Sequence, residues 1–195
     1  LKQDGTNVQI GLKFIDMDPA GYPFNDAKAI GGGSLAVGQN SVAGAHQATA
    51  VGFVTKANQY GVALGAASEA GKSAVAIGNG ALANGEGSIA IGTSKQKVEG
   101  YPDKGLRKVD SEDAIAIGTE TAVDGSSRNA TAVGAYADIA RSPFSTAVGN
   151  HSQVENASNA TAVGNSSTVK DAAYGTALGN FSRVENAAFG TALGN

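Results

Sequence analysis

Two histidines, His46 and His151, and no cysteine set the ceiling on the chemistry open to this chain. Neither histidine sits at a spacing that would pair it with other metal ligands, and each falls in a variable polar stretch, where a solvated imidazole is expected. Without cysteine there is no disulfide framework and no thiolate metal site. The run Gly31-Gly32-Gly33-Ser34 is glycine-rich like a phosphate loop, but the lysine and the following helix that such a loop needs are missing, so it reads as a bend. Serines are frequent, yet no Gly-x-Ser-x-Gly elbow with acid and base partners stands out. Asn129-Ala-Thr131, Asn159-Ala-Thr161 and Asn165-Ser-Ser167 match the glycosylation pattern because a repeat places Thr or Ser there. No catalytic constellation, metal site or cofactor follows from these residues, and the expectation is a protein that is not an enzyme.

Composition points away from an ordinary globular core. Of 195 residues 42% are apolar, but they are small ones: there is no Trp, one Met and only 6% aromatic residues. The 28 glycines are about twice the usual share, and they do not fall at every third place as a collagen helix requires. A net charge of −3 without long runs of one sign gives no broad footprint for nucleic acid or a membrane surface. The chain starts at Leu1, shows no signal-like apolar region and has no apolar stretch near the length of a membrane helix. It is therefore expected to be a segment of a longer protein, with signal, stalk and membrane anchor outside it.

What the glycines do is repeat. Gly38, Gly52, Gly65, Gly78, Gly92, Gly118, Gly134, Gly149, Gly164, Gly179 and Gly194 follow one another at intervals of 13 to 16 residues, with one interval of 26 between Gly92 and Gly118. A fixed short period means stacked units that touch only their neighbours, and helical repeats need roughly 33 residues or more. The residues before each glycine alternate a β-branched or leucine side chain with Ala, as in Ser88-Ile-Ala-Ile-Gly92 and Ser145-Thr-Ala-Val-Gly149, which is a strand pattern. Three residues after the glycine a small, a polar and an apolar residue make a second short strand, as in Ser152-Gln-Val154 and Ser182-Arg-Val184. Two short strands and two bends fill one turn of a flattened coil, so eleven turns give an all-β, short-strand solenoid roughly 50 Å long at a strand spacing of about 4.8 Å. Glycine at the end of the first strand is expected to take the positive φ of a tight reversal.

The two strands differ in their faces. The middle of the second strand varies and is often polar (Lys56, Glu69, Asp138, Gln153, Thr168, Arg183), so one side is solvated. The first strand is apolar on both sides, with Ala in the middle of every copy and Val, Ile or Leu before each glycine. A strand apolar on both sides is covered on both sides, and an exposed ribbon of this length exceeds the few hundred Å² that monomers tolerate. Other copies of the chain are the expected cover. Spacing leaves open whether the Ala column or the Val/Ile/Leu column faces them.

Phrases such as Ser73-Ala-Val-Ala-Ile-Gly-Asn79 and Gly87-Ser-Ile-Ala-Ile-Gly92, in near-constant register over residues 34–195, resemble the head repeats of YadA-like trimeric autotransporter adhesins. The structural residues that carry the likeness are Ala76, Ile77, Gly78, Ala147, Val148, Gly149, Ala162, Val163 and Gly164. The resemblance implies a homotrimer of left-handed parallel β-rolls, one 13–16-residue repeat per turn, with no cofactor. It implies a bacterial surface adhesin, exported and anchored in the outer membrane through a C-terminal barrel, that attaches to host matrix, a cell-surface receptor or another bacterial surface. The alternatives are an ice-binding solenoid, for which Thr131, Thr146, Thr161, Thr176 and Thr191 form a column, or a plain structural spacer. A left-handed β-helix acyltransferase would use a six-residue period with three strands per turn, into which this period does not divide.

Two regions depart from the pattern. Residues 1–33 keep only the trace Ala27-Lys-Ala-Ile-Gly31 and are expected to form an N-terminal cap or a degenerate repeat. The interval at 93–113 is either an inserted loop leaving the rod or a degenerate turn through Gly105; it holds five Lys/Arg and five Asp/Glu. Long irregular insertions on a rigid scaffold are where recognition tends to reside, so Lys95, Lys97, Tyr101, Lys104, Arg107 and Lys108 are the candidate ligand-binding residues, against the alternative of a solvated loop with no partner. Replacing residues 94–112 by a short glycine-containing turn should leave the circular dichroism and melting of the repeats intact while lowering adhesion. Undiminished adhesion would move the site to the polar face of the second strands.

Overall fold

The computed structural model describes residues 2–4, 7–9, 27–93 and 108–194. The strand phrases form one parallel sheet of eleven three-residue strands, from Leu35–Val37 at one end to Thr191–Leu193 at the other. Each strand pairs with its counterpart in the next repeat, Ala on Ala: Ala63 faces Ala76, Ala132 faces Ala147, Ala147 faces Ala162. The second strands form two five-stranded parallel ladders, Lys28–Ala29 through Leu82–Ala83 and Ala122–Val123 through Arg183–Glu185. Val109 bridges Ala83 and Val123 and so joins the two ladders. The result is a parallel β-solenoid of about ten turns bounded by the eleven long-sheet strands. Outside it, Lys2–Asp4 and Asn7–Gln9 pair antiparallel.

Two details refine the sequence reading. The trace at Ala27–Gly31 resembles a first strand but lies in the second sheet, where Lys28–Ala29 pairs with Val42–Ala43; stacking therefore begins half a turn before the first full repeat. Across the long interval Ile89–Ile91 pairs directly with Ile115–Ile117, in the same Ala-on-Ala register as elsewhere. The interval of 26 from Gly92 to Gly118 thus counts as a single turn, with Val109 as its second-strand residue. Gly105 lies outside the described residues.

The core is the narrow space between the sheets, and burial decides the question that spacing left open. The middle alanines point inward and are buried, among them Ala76, Ala147 and Ala162, while Ile77, Val148 and Val163 are half-buried on the outer face. Opposite them stands the second-strand column: Ala43, Ala57, Ala70 and Ala83 in the shorter turns, then Val109, Val123, Ile139, Val154, Val169 and Val184. Where the repeat lengthens to 15 residues the second strands grow from two residues to three, and the larger side chain fills the space so gained.

The motif glycines from Gly38 to Gly179 have both a backbone and a packing reason. Gly52 has φ 142°, and a Cβ there would lie 2.6 Å from the carbonyl oxygen of Gly65 one turn on. Gly118, with φ 140°, meets Gly134 in the same way. A side chain is excluded twice over, by conformation and by the approach of the next turn. The small polar residue three places later is buried and closes the bend. Ser41 Oγ donates to the Gly38 carbonyl at 2.7 Å and Ser152 Oγ to Gly149 at 3.0 Å, whereas Thr55 and Thr121 donate one turn onward, to Gly65 and Gly134. At the other corner Ser145 Oγ donates to the Ala157 carbonyl and accepts the Ala160 N–H, so a hydroxyl links two turns where the backbone bends away.

An inward column this tight should reject larger side chains. Ala147, fully buried, is expected to lose about 1–3 kcal/mol per chain on replacement by Leu, the usual cost of overpacking. In thermal melting this is a fall of several degrees; an unchanged melting temperature would place the column at solvent.

Candidate functional site

With no described cluster of three or more His, Asp or Glu able to hold a metal, what the rod offers is surfaces. Of the sequence-derived candidates, Lys95, Lys97, Tyr101, Lys104 and Arg107 lie outside the described residues. Lys108 is described, and the rod holds it: its Nζ is 2.7 Å from Asp110 Oδ2, and Asn84 Nδ2 donates to Asp110 Oδ1 at 2.9 Å. Lys108 also borders a shallow open depression on the second-sheet side with Asn58, Glu69, Leu82 and Asn84.

The outer face of the long sheet carries two side chains per strand, one on each side of the inward Ala. In the first turns both are apolar except at Thr49/Val51, as at Val62/Leu64, Val75/Ile77 and Ile89/Ile91. From Thr131–Val133 onward the leading one is Thr and the trailing one Val or Leu. Ile91, Ile117 and Leu178 remain more than a third exposed in the single chain. This is a continuous, mostly apolar ribbon without a charge, half-buried to exposed among the described residues.

The second-sheet face is polar and, in its later turns, laddered. The Glu155 carboxylate takes Lys170 at 3.0 Å on one side and Arg141 on the other. At the adjoining corner Arg141 Nε donates to Asn156, whose Nδ2 donates to Asp171 Oδ1 at 2.9 Å. The hydrogen bond from Lys170, with Arg141 adding its charge, holds the Glu155 carboxyl below the usual glutamate range, and the same bond holds the Lys170 ammonium above the usual lysine range. In-register stacking makes opposite charges at successive turns attract, as cross-strand pairs do in any sheet.

The third surface is the pair of corners flanking the long sheet, which the sequence reading passed over. Residues at each corner adopt the left-handed conformation, two per turn at the corner leading into the later long-sheet strands, and these include Tyr136, Phe144, Tyr174, Phe181 and Phe189, with φ between 56° and 62°. Phe144, Tyr174, Phe181 and Phe189 are each at least half exposed. His151, expected at the surface, is exposed at such a corner and stacks on Tyr136, with centroids 4.8 Å apart and planes 5° from parallel. The sequence signal was available: counted from the motif glycine, the aromatics recur at fixed offsets.

A family model described as the YadA head domain repeat matches the chain twice, at residues 29–53 and 70–94. Each window contains second-sheet strands and long-sheet strands together, the first running from Ala29 past Thr49–Val51. No curated protein matches the chain.

The charge ladder sets a pH and salt signature. Because the Glu155 pKa is depressed, its contribution to stability is present above the ordinary glutamate value of about 4.3 and is lost as pH falls through the depressed value. The raised Lys170 pKa contributes below the ordinary lysine value of about 10.4, and that contribution is lost as pH rises through the raised value. Glu155→Gln should flatten both flanks of the melting-versus-pH curve. Its effect should be small, since the side chains are a third to a half exposed, and should fade in about 1 M salt. A Glu155→Gln loss unchanged by salt would mean that packing, not charge, holds this corner.

Proposed function

We propose that this chain, whose turns are YadA-like head repeats, is the adhesive head of a bacterial surface protein, assembled as a homotrimer and held away from the cell by segments outside this sequence. The observation that carries the reading is the uncharged ribbon on the outer face of the long sheet, one strand deep per turn over eleven strands. At about 4.8 Å per strand it runs for roughly 50 Å, and water would meet Ile, Val and Leu along most of it. Copies of the chain packed ribbon to ribbon about a common axis remove that surface from water and leave the polar second sheets outward. Closed symmetry suits such a contact, because each copy is covered by the next and no ribbon is left over.

On this reading the protein does no bond chemistry. The rod is a scaffold that presents repeated surfaces, and three identical copies engage a repetitive target with avidity beyond a single contact. Host matrix, a host cell-surface receptor and another bacterial surface are the targets such a head would meet. Anchoring in the outer membrane belongs to the same reading.

Light scattering should give a mass near three times 19.2 kDa, and Ile77→Glu, which places a charge on the ribbon, should shift the protein toward monomer. A stable monomer at micromolar concentration would overturn the assembly. Binding of the purified chain to a panel of matrix proteins and to intact bacterial cells tests the adhesive role, and binding to none of them would sink it.

A further inference from the structure

At the corner that leads into the long sheet, one column of left-handed positions in successive turns is Asn129, Phe144, Asn159, Tyr174 and Phe189. Backbone bonds hold them one above another: the N–H of Phe144 donates to Arg128 at 3.0 Å, that of Asn159 to Pro143 at 3.0 Å, that of Tyr174 to Ser158 at 2.9 Å and that of Phe189 to Ala173 at 2.9 Å. Adjacent rings in this column stack: Tyr174 and Phe189 have centroids 5.0 Å apart and planes 5° from parallel. Asn159 is therefore a missing tooth in a comb of rings. Its neighbours Phe144 and Tyr174 stand two turns apart, about 10 Å at the strand spacing. The far side of Phe144 is occupied by the Arg128 guanidinium, 5.4 Å from the ring centroid, and the far side of Tyr174 by Phe189. The other face of each ring is turned toward the level of Asn159, where the column carries no ring.

The corner does not need these rings. Phe144 and Tyr174 are 50% and 54% exposed in the single chain, so they fill no part of its core, and an aromatic residue at positive φ bears a strain that Asn at the equivalent positions 129 and 159 largely avoids. The arrangement recurs across the strand Thr161–Val163. There the left-handed column reads Tyr136, His151, Ser166, Phe181, with Tyr136 and His151 stacked, and the gap at Ser166 falls in the same turn as the gap at Asn159.

We infer that the gap between Phe144 and Tyr174 over Asn159 is a binding slot for a pyranose ring of a surface glycan, with the equivalent gap over Ser166 serving a second ring at the other corner. A ring lodged at the Asn159 level lies about 5 Å from each wall, the separation at which the column's own rings stack. The chemistry selects a sugar over an apolar guest. A pyranose presents C–H faces to the two aromatic walls and hydroxyls around its edge, and the Asn159 side chain offers both amide donors and a carbonyl acceptor to that edge. A phenyl group would satisfy the walls and leave the amide without a partner in the guest. The inference rests on the adhesive reading and gives it a target class.

The test is retention of the purified chain on an array of immobilised glycans, run beside an array of Trp- and Tyr-bearing peptides, for the wild type and for Tyr174→Ala and Asn159→Phe. Glycans should retain the wild type, and each substitution should weaken retention about tenfold, by removing one wall or by filling the slot. Asn159→Phe completes the stack, so its melting temperature should hold or rise and its mass by light scattering should not change; its loss of binding then reports a filled slot rather than a damaged rod. Absence of glycan binding, glycan binding undiminished in both variants, a changed mass, or retention by peptides in place of glycans would each overturn the slot. Adhesion to matrix proteins and intact cells is measured on the same samples. If adhesion persists without glycan binding the slot alone falls, and if adhesion is absent throughout the adhesive reading falls with it.

Discussion

Everything in this molecule hangs on parallel, in-register backbone pairing from each turn to the next. Because Ala pairs with Ala along the whole long sheet, every long-sheet residue between the end strands has its own counterpart above and below at strand spacing. A side chain is therefore tolerated only if it can stack on itself or on what replaces it. Glycine at the reversal is the sharpest case, since the next turn's carbonyl occupies the place where a Cβ would be. Serine in the buried corners follows the same rule: the Ser41 hydroxyl joins its own N–H on the Gly38 carbonyl, and the Ser145 hydroxyl reaches the Ala157 carbonyl across the bend.

The same constraint shapes the surfaces. On the second sheet, stacking would pile like charges on one another, and the column Glu155, Lys170, Glu185 avoids this by alternating sign, with Arg141 reaching Glu155 from the adjoining corner. At the corners it turns isolated aromatics into ladders, and an Asn or Ser among them into a gap with ring walls. On the outer face of the long sheet it aligns single apolar residues into a ribbon. One covalent repeat thus yields three kinds of surface: an apolar ribbon, a polar and charged sheet, and corners that carry stacked aromatic rings.

The long interval shows how robust the pairing is. The strands on either side of it, Ile89–Ile91 and Ile115–Ile117, stack as if the turn were of ordinary length, because loop closure grows only slowly in cost with length while each strand pair regains its full set of hydrogen bonds. Val109 restores the second sheet from within the same interval.

Much of this architecture was legible in the residues. The glycine period set the stack, the alternation around Ala set the strands, and the variable polar positions from Lys56 to Arg183 marked the solvated side, because each depends on contacts between nearest neighbours that repeat identically. Three things waited for the tertiary structure. Alternation in a strand apolar on both sides is symmetric, so only the distance to the second sheet could settle that Ala147 and its equivalents point inward and Val148 outward. The phrase Ala27–Gly31 looked like a long-sheet strand, and its pairing with Val42–Ala43 assigned it to the other sheet, since a two-residue strand carries too little pattern to choose. Phe144, Tyr174 and Phe189 are far apart in the chain and became a ladder only when the turns were stacked at strand spacing, a length that residue counting does not contain.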